Sequence, residues 1–347
     1  MSVVLGVAGL GSGAALGGGA AAAEAAEPAS PQTLCTVTDR RLGELSGLAV
    51  DRGGVWAMAD GGRRVALHRL DLDDCSITRT RTAAIDPFDA EDLARGPDGT
   101  LWVADTGDNE RRRETVALIA LPPTGAPRLH RLRYPDGPHD AEALLVAADG
   151  VPLVITKETV AAAGIYLPEG PLAEPGPTPL IRVGEVVLPG SDTVGGPVGG
   201  IGARLVTGAA LNADGRVAAV RTYTDAWLFP VAGETAADLV AALRTNPVRV
   251  PLPGEPQGEA IAFEADGRLL SGSESRGGAR GAIRAVPGAA ALAVAGQSAE
   301  PRAAPAATPE NTGPAWTPAA AGAAAVAGLL VLAIVAMAVH ALVRRRP

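Results

Sequence analysis

Glu91, Glu142 and Glu259 stand at matching places in three stretches of the chain, DAEDLARGPDGTLWVAD, DAEALLVAADGVPLVITKE and QGEAIAFEADGRLLSGSE, which run on to Asp105, Lys157 and Glu274. Two further stretches, ELSGLAVDRGGVWAMAD and VTGAALNADGRVAAVRTYTD, carry Ser46 and Thr207 at that place and run on to Asp60 and Arg221. Like charges brought together raise one another's pKa or demand a cation. A convergent set of carboxylates is therefore a candidate calcium site, with Glu91, Asp105, Glu142, Glu259 and Glu274 as oxygen donors. Asp60, Lys157, Thr207, Arg221 and Tyr223 form the candidate ligand-binding set, because a phosphate, carboxylate or sulfate needs basic partners and Tyr223 adds a hydrogen-bonding or stacking surface. Structural readings compete with these: carboxylates at strand ends cap backbone amides of neighbouring loops, and Lys157 and Arg221 balance the acid around them. In DTGDNERRR, Asp105, Asp108 and Asn109 are able to supply hard oxygen ligands or to hold a glycine-centred turn through Asx hydrogen bonds. Its spacing is not that of an EF-hand, and no nucleotide-binding glycine loop, zinc-ligand spacing or Ser-His-Asp order is present.

What must position these residues is a repeated hairpin. Each stretch has a polar start, an apolar run, an Asp-Gly-type turn, a second apolar run and a polar end, and hairpin geometry places start and end at the same edge, opposite the turn. Counted at Leu48, Leu93, Leu144, Ala209 and Ile261, the repeat recurs at intervals of 45, 51, 65 and 52 residues, which suits one four-stranded blade each of a β-propeller. The expected fold is all-β: a β-propeller over residues 32–296, with five blades favoured and six, or an open β-sandwich pair, as alternatives. The one helical candidate is Glu234–Thr245 in a connection. Ring closure would set the segment at Cys35 beside the last strands, around Ala282–Val294. Cys35 and Cys75 are the only cysteines, and an exported domain would pair them. Closing that loop is worth roughly 3–4 kcal/mol on the chain-entropy estimate.

The ends and the composition bear on location. Residues 1–27 begin apolar and small and read as a secretory signal. Residues 297–318 are rich in Pro and Ala and read as an extended stalk. Residues 319–343 are an uncharged apolar run long enough to span a bilayer, and the basic tail at 344–347 stays cytoplasmic by the positive-inside rule. The expected protein is a single-pass protein of the cell membrane, C-terminus in the cytoplasm and propeller outside, held to the cytoplasmic membrane by its C-terminal transmembrane helix. The net charge of −8 with Lys157 as sole lysine leaves no basic stripe to neutralise phosphates, which argues against nucleic acid as a partner.

The stretches DAEDLARGPDGTLWVADTGDN and QGEAIAFEADGRLLSGSES resemble those of bacterial secreted β-propeller repeat proteins of the esterase-like phytase, gluconolactonase and NHL-repeat type. The likeness covers residues 44–290 and rests on the blade phrase. The resemblance implies an acidic axial funnel that binds calcium through Glu91, Glu142 and Glu259, from which Ser46, Thr207, Lys157 and Arg221 depart. Two functions are expected. The first is a membrane-anchored extracytoplasmic ligand-binding or protein-interaction module, its partner a small molecule or extracytoplasmic protein of unknown identity. The alternative is a calcium-dependent hydrolase of a phosphate ester, lactone or related small ester.

Overall fold

The Asp-Gly turns behave as their residue types dictate. Asp98, Asp149, Asp214 and Asp266 each accept a hydrogen bond from the backbone N–H two residues on, at 2.9–3.1 Å. The glycines that follow, Gly99, Gly150, Gly215 and Gly267, take φ of 74–83°, a conformation that costs glycine nothing. Each turn therefore ends one strand and starts its antiparallel partner.

The computed structural model of the chain describes residues 27–298 apart from 161 and 175. The expected signal up to residue 26, the membrane helix, the basic tail and all but the start of the expected stalk lie outside the described residues. Among the described residues no helix is long and apolar enough to cross a membrane.

An entering strand, β1 (Gln32–Thr36), precedes a first group of β2 (Leu45–Asp51), β3 (Gly54–Ala59), β4 (Val65–Leu70) and β5 (Ile77–Ala83). The second group is β6 (Asp92–Arg95), β7 (Leu101–Asp105), β8 (Val116–Leu121) and β9 (Arg128–Arg133); the third is β10 (Ala141–Val146), β11 (Pro152–Thr156), β12 (Ala163–Pro168) and β13 (Thr178–Val186). The fourth is β14 (Val206–Leu211), β15 (Val217–Thr222), β16 (Asp225–Pro230) and β17 (Val248–Pro251), with α1 (Ala236–Ala242) in its last connection. The chain ends its described part with β18 (Gln257–Phe263), β19 (Leu269–Glu274), β20 (Ala282–Val286) and α2 (Ala289–Ser298). Consecutive strands pair antiparallel within each group, β13 and β9 join the second and third groups by a short parallel pairing, and β1 pairs with β20 to complete the last sheet. The α1 segment begins in a capping box between Thr235 and Asp238, within the expected helical stretch.

The first strands lie side by side in the order β2, β6, β10, β14, β18 and back to β2, so the sheets stand around an axis as in a β-propeller. Sheets packed on both faces need apolar residues on both. Hence β8 is VALIAL and wholly buried, whereas the outer strand β9, RLHRLR, alternates. Each neighbouring pair of groups shares an apolar layer: Met58 with Val103, Leu118 with Leu144, Ile155 with Phe229, Leu228 with Phe263, and Leu270 with Leu45. Glycine lets the inner strands meet closely; a Cβ at Gly47 would stand 2.7 Å from that of Leu93. The disulfide Cys35–Cys75 joins β1, in the closing sheet, to the β4–β5 turn of the first group, as the sequence led us to expect.

Candidate functional site

Four inner strands carry a bulge at the same place, leaving Ser46, Glu142, Thr207 and Glu259 without a partner in the ladder. These are the repeat positions singled out in the sequence. A bulge adds an unpaired residue and re-aims its side chain, which is why bulges gather beside functional sites. In the second group Glu91 holds the matching place, its N–H donating to Ala104 O at 2.8 Å.

What the re-aimed side chains do depends on residue type. The hydroxyls tie neighbouring inner strands together: Ser46 Oγ donates to Glu91 O at 2.6 Å and Thr207 Oγ1 to Gly258 O at 3.0 Å. Thr207, expected in the ligand-binding set, therefore has its hydroxyl engaged within the wall. The carboxylates instead converge. Glu91, Asp140 and Glu142, all buried, offer oxygens that lie within 4.8 Å of one another. Gly107 is part of the same construction, because a Cβ there would collide with the Glu91 and Asp89 carboxylates.

Around this trio the charge is arranged in a connected set. Lys157 Nζ donates to Glu142 Oε1 and, at 2.9 Å, to Tyr223 Oη. Burial alone would pull the ammonium down, but the Glu142 carboxylate holds it well above its usual range. Glu142 Oε2 is buried without a hydrogen-bond partner. Burial drives the Glu142 carboxyl up to about 8, against the pull of Lys157, and drives Glu91 well above its usual range with Glu142 and Asp89 adding to it. On the far side, burial and a hydrogen bond shared with Glu259 push Glu274 up to about 10. Asp60 rises to about 7 through burial and then through Glu44, Glu259 and Asp89. Gln257 Nε2 donates to Glu259 Oε1 at 2.8 Å.

Three residues expected as ligands, Asp105, Asp108 and Arg221, have their side chains engaged elsewhere. Asp105 Oδ1 accepts from the N–H groups of Phe88 and Asp89, each at 3.0 Å, and from Arg113 Nη2 at 2.9 Å. It shapes the loop that carries Asp89 and Glu91 instead of facing the trio as an expected cation ligand. Asp108 likewise accepts from Arg112 N and Arg113 N, at 2.9 and 2.7 Å, closing the DTGDN turn. Arg221, expected to hold an anion, is fully buried. Its guanidinium binds Glu255, Ser271 Oγ at 2.5 Å and Ala260 O at 3.1 Å, between the fourth group and the last sheet.

Sequence reasoning passed over Asp140 and Asp89 as ligands, although the repeated Asp-Ala-Glu of DAEDL and DAEAL was a visible signal. It also passed over Asp92. That carboxylate is fully buried and accepts from Leu93 N, Leu144 N and Ala209 N at 2.8, 2.8 and 3.0 Å, joining three inner strands at the axis.

These carboxyls give the cation-free protein a defined pH response. Asp60, Glu142 and Glu274, raised to about 7, 8 and 10, favour folding most when protonated. Their contribution is complete below their unfolded pKa values and is lost as pH rises through the folded ones. In EDTA the melting temperature should fall between about pH 5 and 9, and saturating calcium should flatten that slope, because a bound cation favours the ionised form. A melting temperature in EDTA that is flat or rises with pH would contradict this.

Among solved structures, the chain is similar to a luciferin-regenerating enzyme, at 14% identity over 70% of this chain and 77% of that one with a TM-score of 0.41. It is similar to the PQQ-bound form of aldose sugar dehydrogenase from Streptomyces coelicolor, at 15% identity over 75% and 99% with a TM-score of 0.43. It is also similar to a gluconolactonase from Xanthomonas campestris, at 14% identity over 77% and 99% with a TM-score of 0.39. No family model matches the chain, and no curated protein does.

Proposed function

We propose that this chain is a five-bladed propeller, tethered outside the cytoplasmic membrane, that uses its acidic rim to hold a calcium-type cation and hydrolyse a phosphate ester, lactone or related small ester. One observation carries the reading: Glu91, Asp140 and Glu142 bring buried oxygens within 4.8 Å, and Glu142 Oε2 has no partner. Oxygens on opposite sides of a calcium ion at about 2.4 Å stand about 4.8 Å apart, so the spacing fits a hard cation. An unpaired buried carboxylate oxygen is costly, and a cation would relieve it. The five strand groups and the five apolar layers between them support the blade count.

A cation held there would supply Lewis acidity at a substrate oxygen. The chain's own groups do the rest. Lys157 Nζ, beside Tyr223 Oη, is placed to donate to an anionic or developing negative oxygen once substrate competes with Glu142. Asp60, titrating at about 7, can take a proton from the attacking water and return it to the leaving oxygen near neutral pH.

The full chain should hydrolyse a generic aryl ester, lactone or aryl phosphate with calcium and lose that activity in EDTA. Absence of turnover on all three with calcium present would sink the enzyme reading. The binding-module reading is favoured by one observation, the Lys157 ammonium already seated on Glu142; it expects ligand binding without turnover.

A further inference from the structure

A cavity of about 330 Å³ lies against the first strand group, and Asp60 is one of its walls. Ala90, which lies between Asp89 and Glu91 in the chain, lines it as well, so the cavity adjoins the site already described. Its character is different. Met58, Val65, Ala66 and Ala90 supply an apolar lining, and Arg40, Arg63 and Arg64 stand around it, outnumbering the two carboxylates on its walls, Asp60 and Glu44. Met58 and Val65 are each only 2% exposed, so this lining belongs to the packed body of the fold.

The arginines are free to take a ligand. Arg41, which also lines the cavity, is committed to Asp39, with Nε and Nη2 donating to its two oxygens at 3.0 and 2.6 Å. Arg40, Arg63 and Arg64 make no side-chain hydrogen bond or ion pair among the described residues. The turn that presents Arg63 and Arg64 is built from Gly61 and Gly62, at φ of 65° and 101°, a backbone path that suits glycine and leaves no Cβ over the opening. Buried His68 lines the cavity too, with Nδ1 at 2.9 Å from Thr80 Oγ1.

We propose that this cavity is the subsite for an anionic end, carboxylate or phosphate, of an ester whose reacting group lies at the acidic rim. The physical case is one of sign. A chain of net charge −8 with a carboxylate cluster at its site repels an anion unless fixed cations offset the field nearby. Arginine is the side chain that binds carboxylate and phosphate through paired N–H donors. The apolar lining that Asp60 and the arginines share suits a short hydrocarbon or aromatic spacer. The reacting end rests on the hydrolase reading, whereas the anion subsite is testable by binding alone.

The test is calorimetric titration of the full chain with phenylphosphonate, phenylacetate and the neutral phenylacetamide. Both anions should bind at least tenfold more tightly than the amide. Arg63→Gln with Arg64→Gln should weaken both anions at least tenfold and leave the amide unchanged, and Arg40→Gln alone should weaken them less. Tighter binding of phenylphosphonate than of phenylacetate would assign phosphate as the natural end, and the reverse order carboxylate. Equal binding of the anions and the amide, equal binding to the double variant, or no binding of either anion would overturn the proposal. Loss of hydrolysis in every assay would leave these affinities as they are, so failure of the enzyme reading is distinguishable from failure of the subsite.

Discussion

Glu91→Gln combined with Glu142→Gln should abolish calcium binding and lower hydrolysis by about 10³-fold or more. The size follows from Lewis acidity worth several kcal/mol, with each ~1.4 kcal/mol a factor of ten. The double variant removes two of the three converging carboxylates and leaves Asp140 held by Asp108 N at 2.8 Å. Glu91→Gln alone is the sharper diagnostic, since it leaves the Lys157–Glu142 pair intact. In EDTA the melting temperature of that single variant should vary less with pH than the parent's, because burial and its acidic neighbours raise the Glu91 carboxyl and glutamine does not titrate, while its calcium affinity falls. Parent-like calcium affinity in the double variant would show that the cation, if any, sits elsewhere.

Arg221→Met should cost roughly 3–5 kcal/mol, the loss expected when one member of a buried ion pair is removed. At about 2–4 °C per kcal/mol for a chain of this size, the melting temperature should drop by about 10 °C. The cause is Glu255, only 2% exposed, left facing Ser271 Oγ at 2.5 Å and Arg284 at 3.7 Å without its main partner. Adding Glu255→Leu should recover much of the loss, because an apolar pair of similar volume is not penalised for stranded charge. Gly258 belongs to the same arrangement: a Cβ there would collide with the Arg221 guanidinium. An unchanged melting temperature for Arg221→Met would show that Glu255 is not stranded when the guanidinium is removed.

The strand pattern was legible because it is local. Asp-Gly turns, apolar runs and the recurrence of Leu48, Leu93, Leu144, Ala209 and Ile261 follow from chain stiffness and burial, and the hairpins stand in the expected register. The pairing of β1 with β20 was legible because a closed ring demands it, and that of Cys35 with Cys75 because the chain has no other cysteine. The site was legible by place and less so by role. Hairpin geometry located Glu91, Glu142 and Glu259, but a one-residue bulge decides which side chain turns inward, and no residue type announces it. Arg221 and Glu142 look alike as charged residues near strand ends; their fates differ because Gly258 opens a slot for the guanidinium in the wall. Asp105 reads as a ligand in DTGDN until the backbone N–H groups of Phe88 and Asp89 are seen to take its oxygen. Asp92 hid in plain view, since its partners Leu144 and Ala209 are 52 and 117 residues away.

The most direct test of the cation site is calcium titration of the EDTA-treated full chain, followed by calorimetry and melting temperature at one pH. A single saturable site dependent on Glu91 and Glu142 is expected. At about a hundredfold excess over Kd, calcium should stabilise the protein by about 2.7 kcal/mol, a rise of several degrees. No heat and no shift up to about tenfold above the ~10⁻³ M affinity of weak extracellular calcium modules would contradict it.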